Sequence, residues 1–207
     1  MDPKLEIKDR LNIYRGSMVE IKERIKEVDN QLSNWRKSTK ISPLACEYTA
    51  LQLRKIYELI GFAAMAADLD LYREVSPKFG KEWKFAIILK NIHKINPDFL
   101  PKPTRITEAK EAGVNWHLED RRDAELTMKD LIYRHGFLSK LLHAKNPFSV
   151  KYDYAEVARK YDTWVREVAS LLSMHRYVIG PHLEGYIVEL HAHDSEVTII
   201  QYQKANV

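Results

Sequence analysis

The sequence predicts a mainly α protein: a helical bundle preceded by a long N-terminal amphipathic helix and closed by a C-terminal β-hairpin. Three observations carry that expectation. Apolar residues recur at steps of three and four over two long stretches, Lys4 to Arg36 and Tyr154 to Met174. Two further segments open with helix-start chemistry, Ser42-Pro43 and Thr127 with Asp130 three residues on. Only seven glycines interrupt 207 residues, of which 45% are hydrophobic and 30% charged, a balance that suits helices better than a turn-rich sandwich.

Taken in order, residues 1–40 form one unit, with Leu11, Tyr14, Met18, Ile21, Ile25, Val28 and Leu32 lining one side of a docking or coiled-coil helix. Residues 41–178 form the bundle. Its first helix starts at the Ser42 cap, takes Pro43 at the first helical position and ends in a small-residue run suited to close packing. Along its side recur Glu47, Leu51, Arg54 and Glu58, so an Arg54 to Glu58 pair is expected. The next helix is expected over Gly80 to Ile95, with Trp83, Ile87, Ile88 and Ile92 inward. Pro97, Pro101 and Pro103 then exclude helix, and the charged, poorly periodic region to Glu125 reads as a surface loop.

A further helix runs from Thr127 to a stop at Asn146-Pro147, and the last of five substantial helices from Tyr154 to Met174, with Val157, Tyr161, Trp164 and Val165 on its apolar face. Residues 179–207 follow the Gly180-Pro181 break, alternate in polarity and turn near Asp194-Ser195, which is the pattern of a hairpin. A lone hairpin is marginal in water, so it is expected to lie on the bundle or pair with another chain.

Charge narrows the partners only a little. Thirty-three basic residues against 29 acidic ones give +4, a mild excess spread along the chain that permits nucleic-acid binding without requiring it. The single cysteine, Cys46, has no intrachain disulfide partner, and the charged N-terminus and absence of a long apolar run predict a cytoplasmic protein without a membrane span. No phosphate-cradling glycine loop and no nucleophile elbow is present, and no cofactor is expected. His191 and His193 share a strand face, but no further ligands are fixed around them, so no metal site is assigned.

The residues best suited to chemistry lie in T-M-K-D-L-I-Y-R-H-G-F-L-S-K-L-L-H-A-K-N-P-F, Thr127 to Phe148. Leu131, Leu138 and Leu142 share one face, and His135, Ser139 and His143 form a polar stripe beside it. A histidine at a core edge, a histidine capping its own helix and an Asn146 that opens the turn before Pro147 are the structural alternatives. Two basic stretches with aromatics, Lys78 to Lys84 and Arg159 to Tyr161, suit RNA phosphates and bases, or simply a solvated helix face.

The segments S-P-L-A-C-E-Y-T-A-L-Q-L-R-K-I-Y-E-L-I, I-N-P-D-F-L-P-K-P and Y-R-H-G-F-L-S-K-L-L-H-A-K-N-P-F resemble a group of largely uncharacterised bacterial helical proteins, and through them the HEPN superfamily. The resemblance spans about Ser42 to Phe148. It implies a dimerising bundle that binds or cleaves RNA without metal, in bacterial defence or a toxin system, with an Arg and a His on one helix. Arg134 with His135, and His143, match the ends of that pattern. Eight residues separate Arg134 from His143, however, and nine steps of about 100° place them on opposite sides of a regular helix. The pair Arg176 and His182 has the family's spacing, but Gly180-Pro181 lies between them.

Two functional expectations follow. In the first, Arg134, His135 and His143 act on RNA, the histidines as acid or base and the arginine on phosphate charge, with Glu47, Arg54, Ser139 and Asn146 as binding residues. In the second, the chain is a non-catalytic interaction or assembly module, a homo-oligomer in which the long first helix and the hairpin mediate assembly and the same polar residues are structural.

Overall fold

The computed structural model describes residues 6–38, 40–76, 81–144, 146, 148, 152–179, 184–190 and 196–203. Among them are six α-helices and five strands. Helix α1 is Ile7–Arg36, and its predicted apolar side faces inward: Tyr14, Met18, Ile21, Val28 and Leu32 are buried. It docks along α2, Pro43–Ala67, in the most extensive helix contact of the chain. Helix α2 begins at the foreseen residues, although the Ser42 side chain makes no capping bond. Its Ala-rich end packs closely because Gly61 lets α4 approach. A Cβ on Gly61 would lie 3.0 Å from Phe85 Cε2 and 3.2 Å from Leu89 Cδ2.

A short helix not foreseen, α3 (Leu69–Val75), follows one turn residue after α2. Helix α4 is Phe85–Ile95, five residues shorter at its start than the sequence predicts. Ile88 and Ile92 are buried as expected, whereas Ile87 is 39% exposed and Trp83, ahead of the helix, is 75% exposed. Trp83 carries the apolar weight of an inward residue but sits in extended chain outside the helical register.

The region expected to be a surface loop contains two strands, β1 (Lys102–Glu108) and β2 (Trp116–Asp120). They pair antiparallel, Thr104 opposite Asp120 and Glu108 opposite Trp116. Their burial is sparse, so no apolar alternation announces them. Cross-strand charge pairs do the holding instead: Arg105 donates from Nε to Glu119 at 2.8 Å, and Arg176 donates to both Asp120 oxygens at 2.8 and 2.7 Å. The turn between them uses Gly113 at φ 82, the left-handed conformation glycine adopts without strain.

Helix α5 is Met128–Leu142 and α6 is Tyr154–Ser173, the latter running straight into β3, Met174–Ile179. β3 pairs with β4 (Glu184–Glu189), and β4 with β5 (Thr198–Tyr202), both antiparallel. The C-terminal pair is thus part of a five-stranded sheet in the order β2-β1-β3-β4-β5, and the partner it needs is supplied within the chain. Gly185 leaves room for the Tyr202 ring opposite it. The sheet meets the helices through aromatic packing, the Tyr14 and Tyr177 rings lying 4.6 Å apart. Among the described residues no helix is long and apolar enough to cross a membrane. Gly180-Pro181, His182, His191, His193, the Asp194-Ser195 turn, Pro147 and the Lys78 to Gly80 part of the first basic stretch lie outside the described residues.

Candidate functional site

Helix α5 carries the predicted polar stripe, and its start is built as the sequence requires. Thr127 Oγ1 accepts from the Asp130 amide at 3.1 Å, and the Asp130 carboxylate accepts from the Thr127 amide at 2.9 Å, a reciprocal box that satisfies two amides at the helix start. The Thr127 hydroxyl bond, with the helix-start amide, holds the Asp130 carboxyl below the usual carboxylate range. The other end departs from expectation. The helix stops at Leu142, and His143 already has extended backbone, φ −80 and ψ 146. Proline at 147 disfavours helical geometry at Asn146, and Ala144, like His143, already lies outside the helix.

That early stop breaks the stripe. His135 and Ser139 remain on the helix, while His143 is exposed beyond it. Ser139 Oγ donates to the His135 carbonyl at 2.8 Å, a bond within its own helix that leaves the hydroxyl proton engaged. His135 turns towards α2. Its Nε2 is 2.9 Å from Glu58 Oε1, and Arg54 Nε donates to the same oxygen at 2.9 Å, which gives the predicted Arg54 to Glu58 pair a third member. The Phe85 ring stacks on the imidazole with centroids 4.4 Å apart. Burial pushes the Glu58 carboxyl up, but the His135 and Arg54 bonds outweigh it and hold the group below its ordinary range. Glu58 is therefore ionised at neutral pH and accepts only, so the imidazole donates to it from Nε2.

Arg134, one residue earlier, points the other way. It is 8% exposed, lies 2.6 Å from Glu167 Oε2 on α6, and its guanidinium carbon is 5.5 Å from the Trp164 ring centre. Burial opposes its charge, while Tyr57 and Glu167 raise its affinity for the proton. The Tyr57 hydroxyl, buried on α2 beside it, is pushed up to about 12 by burial with Arg134 opposing. Neither Tyr57 Oη nor Arg134 Nη1 makes an aligned hydrogen bond. The arginine is thus a buried tie between α5 and α6, not a cation displayed for phosphate.

The candidate residues fall into separate places. Arg54 and His135 are joined through Glu58, Ser139 lies one turn further along α5, and Arg134 faces α6. His143 is at the exposed end of α5, and Asn146 accepts from the Phe148 amide at 3.0 Å in the loop beyond. Glu47 lies two turns before Arg54 on α2, half-buried. Arg134 and His143 do not converge within the chain. Glu58 was expected as the partner of Arg54 but not of His135, whereas Phe85, Tyr57, Glu167 and Trp164 come from segments with no local signal of this meeting.

Two surface clefts lie away from His135 and Glu58, the first of them beside Glu167, the partner of Arg134. One of about 280 Å³ is lined by Asp123, Glu125, Arg166, Glu167 and Ser170, and one of about 440 Å³ lies between α1 and the sheet, at Leu11, Arg15, Tyr186 and Ile199. Among the described residues no group of three or more His, Cys, Asp or Glu is placed to hold a metal ion. Among the described residues the one buried histidine, His175, is structural in its bonding: Nδ1 lies 3.2 Å from the Leu172 carbonyl, and Nε2 lies 2.8 Å from Tyr14 Oη. Because a carbonyl only accepts, Nδ1 holds the proton and Tyr14 donates to Nε2.

Compared with known proteins, the sequence matches no family model, and no curated protein and no solved structure matches it.

Proposed function

We propose that the protein is a non-catalytic interaction and assembly module. The observation that carries this reading is an apolar stripe left facing solvent on α2: Leu44 is 75% exposed, Tyr48 43% and Leu51 37%. A helix otherwise committed to the core rarely leaves three large apolar side chains on one outer face without a partner. The geometry of α5 supports the same reading, since Arg134 is consumed by Glu167 and His143 stands apart from it.

A second reading, metal-independent action on RNA as the family resemblance implies, is favoured by one observation. A carboxylate holds His135 Nε2 and leaves Nδ1 as the basic nitrogen, which is the arrangement of a general base. The two readings separate in one assay: purified protein and its His135→Ala and His143→Ala variants incubated with mixed cellular RNA in EDTA. The assembly reading expects no fragments that depend on either histidine. Cleavage by the wild type that is lost in a folded His135→Ala or His143→Ala variant overturns it in favour of the ribonuclease.

A further inference from the structure

We infer that the partner of the α2 stripe is a second copy of the same helix, packed antiparallel about a two-fold axis at Leu51. The inference rests on the assembly reading and names its partner. At about 100° per residue, Leu44, Tyr48, Leu51 and Lys55 fall within about 60° of one another on the outer face of α2. Glu47 and Arg54 lie together on one flank of that face, and Tyr48, Lys55 and Leu59 towards the other. Lys55 is exposed, and Glu47 and Lys55 make no ion pair among the described residues, so both have charge to offer.

A two-fold axis lying between antiparallel helices keeps each residue on its own flank and reverses its height. Applied at Leu51, it sets Leu51 against its own copy. On the flank that carries Glu47 it brings this carboxylate to the height of Arg54 in the second copy, within about 1.5 Å, the rise of one residue. On the other flank, with the same offset, Tyr48 meets Lys55 of the second copy. Leu51 therefore meets Leu51 on the axis, and acid meets base and an aromatic ring meets a cation on either side, each of these twice. No other partner is needed to explain the order of these residues: the stripe is complementary to itself, as an isologous interface must be. Arg54 is able to serve both partners, since the bond to Glu58 engages its Nε and a guanidinium carries further N–H donors.

The register makes a specific demand that a nonspecific sticky face would not. Glu47→Arg puts two like-charged pairs into the self-dimer, and so does Arg54→Glu. In a one-to-one mixture of the two variants, however, the arginine introduced at position 47 of one chain faces the glutamate introduced at position 54 of the other, and the second end keeps the native pair. Mass by light scattering at ~50 µM, where an ordinary interface of micromolar affinity is occupied, should give a dimer for the wild type. Each variant alone should dissociate at least about tenfold more readily, and the mixture should recover the dimer.

Leu51→Glu, at a position already open to solvent, is a second variant that keeps the fold while placing two carboxylates on the axis, and it should be monomeric. A monomeric wild type, or a mixture no more associated than its components while each remains folded by circular dichroism, overturns the proposal. That failure is distinct from failure of the assembly reading, which the RNA assay alone decides: a monomer that cleaves no RNA still lacks only this partner, and a dimer that cleaves RNA keeps this interface but loses that reading.

Discussion

His175 is the residue whose chemistry bears most directly on stability. Burial pushes its imidazole down to about 4, from an ordinary value of 6.5, because a fully enclosed ring cannot have its positive charge hydrated, and the Leu172 carbonyl bond, which favours the charged form, offsets this only in part. The unfolded chain takes up that proton below about pH 6.5 while the folded chain refuses it until about pH 4, so folding loses stability as pH falls across that window and no further below it. At about 1.4 kcal/mol per tenfold, the gap amounts to about 3 kcal/mol. Urea denaturation at pH 7 and pH 4 should show this loss in the wild type and its absence in His175→Gln, which keeps a polar side chain but does not titrate. Equal pH slopes in the two proteins would contradict the assignment. Arg134 makes a complementary case. Glu167→Ala leaves a buried guanidinium with only Trp164 and Tyr57 around it, and because Glu167 is 41% exposed the cost should be about 1 to 2 kcal/mol rather than that of a fully buried pair. A chemical denaturation midpoint unchanged by the substitution would mean that Arg134 reaches water instead.

The meeting of α2, α4 and α5 depends on one glycine. Gly61 allows Phe85 against α2, and Phe85 in turn stacks on His135, so the carboxylate-held imidazole rests on a backbone position with no side chain. Gly61→Leu must push Phe85 and Leu89 outward and should destabilise the protein by about 1 to 3 kcal/mol. It should also shift the His135 ring resonances in NMR. Gly61→Ala is closer to balance, because its gain in helix propensity, about 1 kcal/mol, offsets a tighter Phe85 contact. How much of these elements the sequence revealed depended on whether burial left a period to read. Helix α1 was legible because its buried residues alternate with charges at helical spacing. So were the starts of α2 and α5, where proline and the Thr127 to Asp130 box act locally. β1 and β2 were not, because their mostly exposed residues leave no apolar alternation to read and the Arg176 to Asp120 pair joins residues distant in sequence, and three prolines that exclude helix say nothing against a strand edge. Trp83 misled for the converse reason: size and apolarity predicted burial, and the chain places it outside the helix.

For the molecule as a whole, a mainly helical fold was legible, and the sheet that ties its C-terminal half together was legible only at β4 and β5. β1 and β2, from a segment read as loop, and β3, from one read as a helix end, complete it. The candidate site was legible as a set of residues and not as a place. Spacing alone separated Arg134 from His143, but only the early end of α5 and the turn of His135 towards Glu58 show that each polar residue answers to a different neighbour. What remains unanswered inside the chain is the outer face of α2, which we assign to a second copy of the same helix. Sedimentation velocity of the wild-type protein over a dilution series tests this most directly. A reversible shift from dimer to monomer on dilution, abolished in Leu51→Glu, is the expected result. A single monomeric species at every concentration would contradict it.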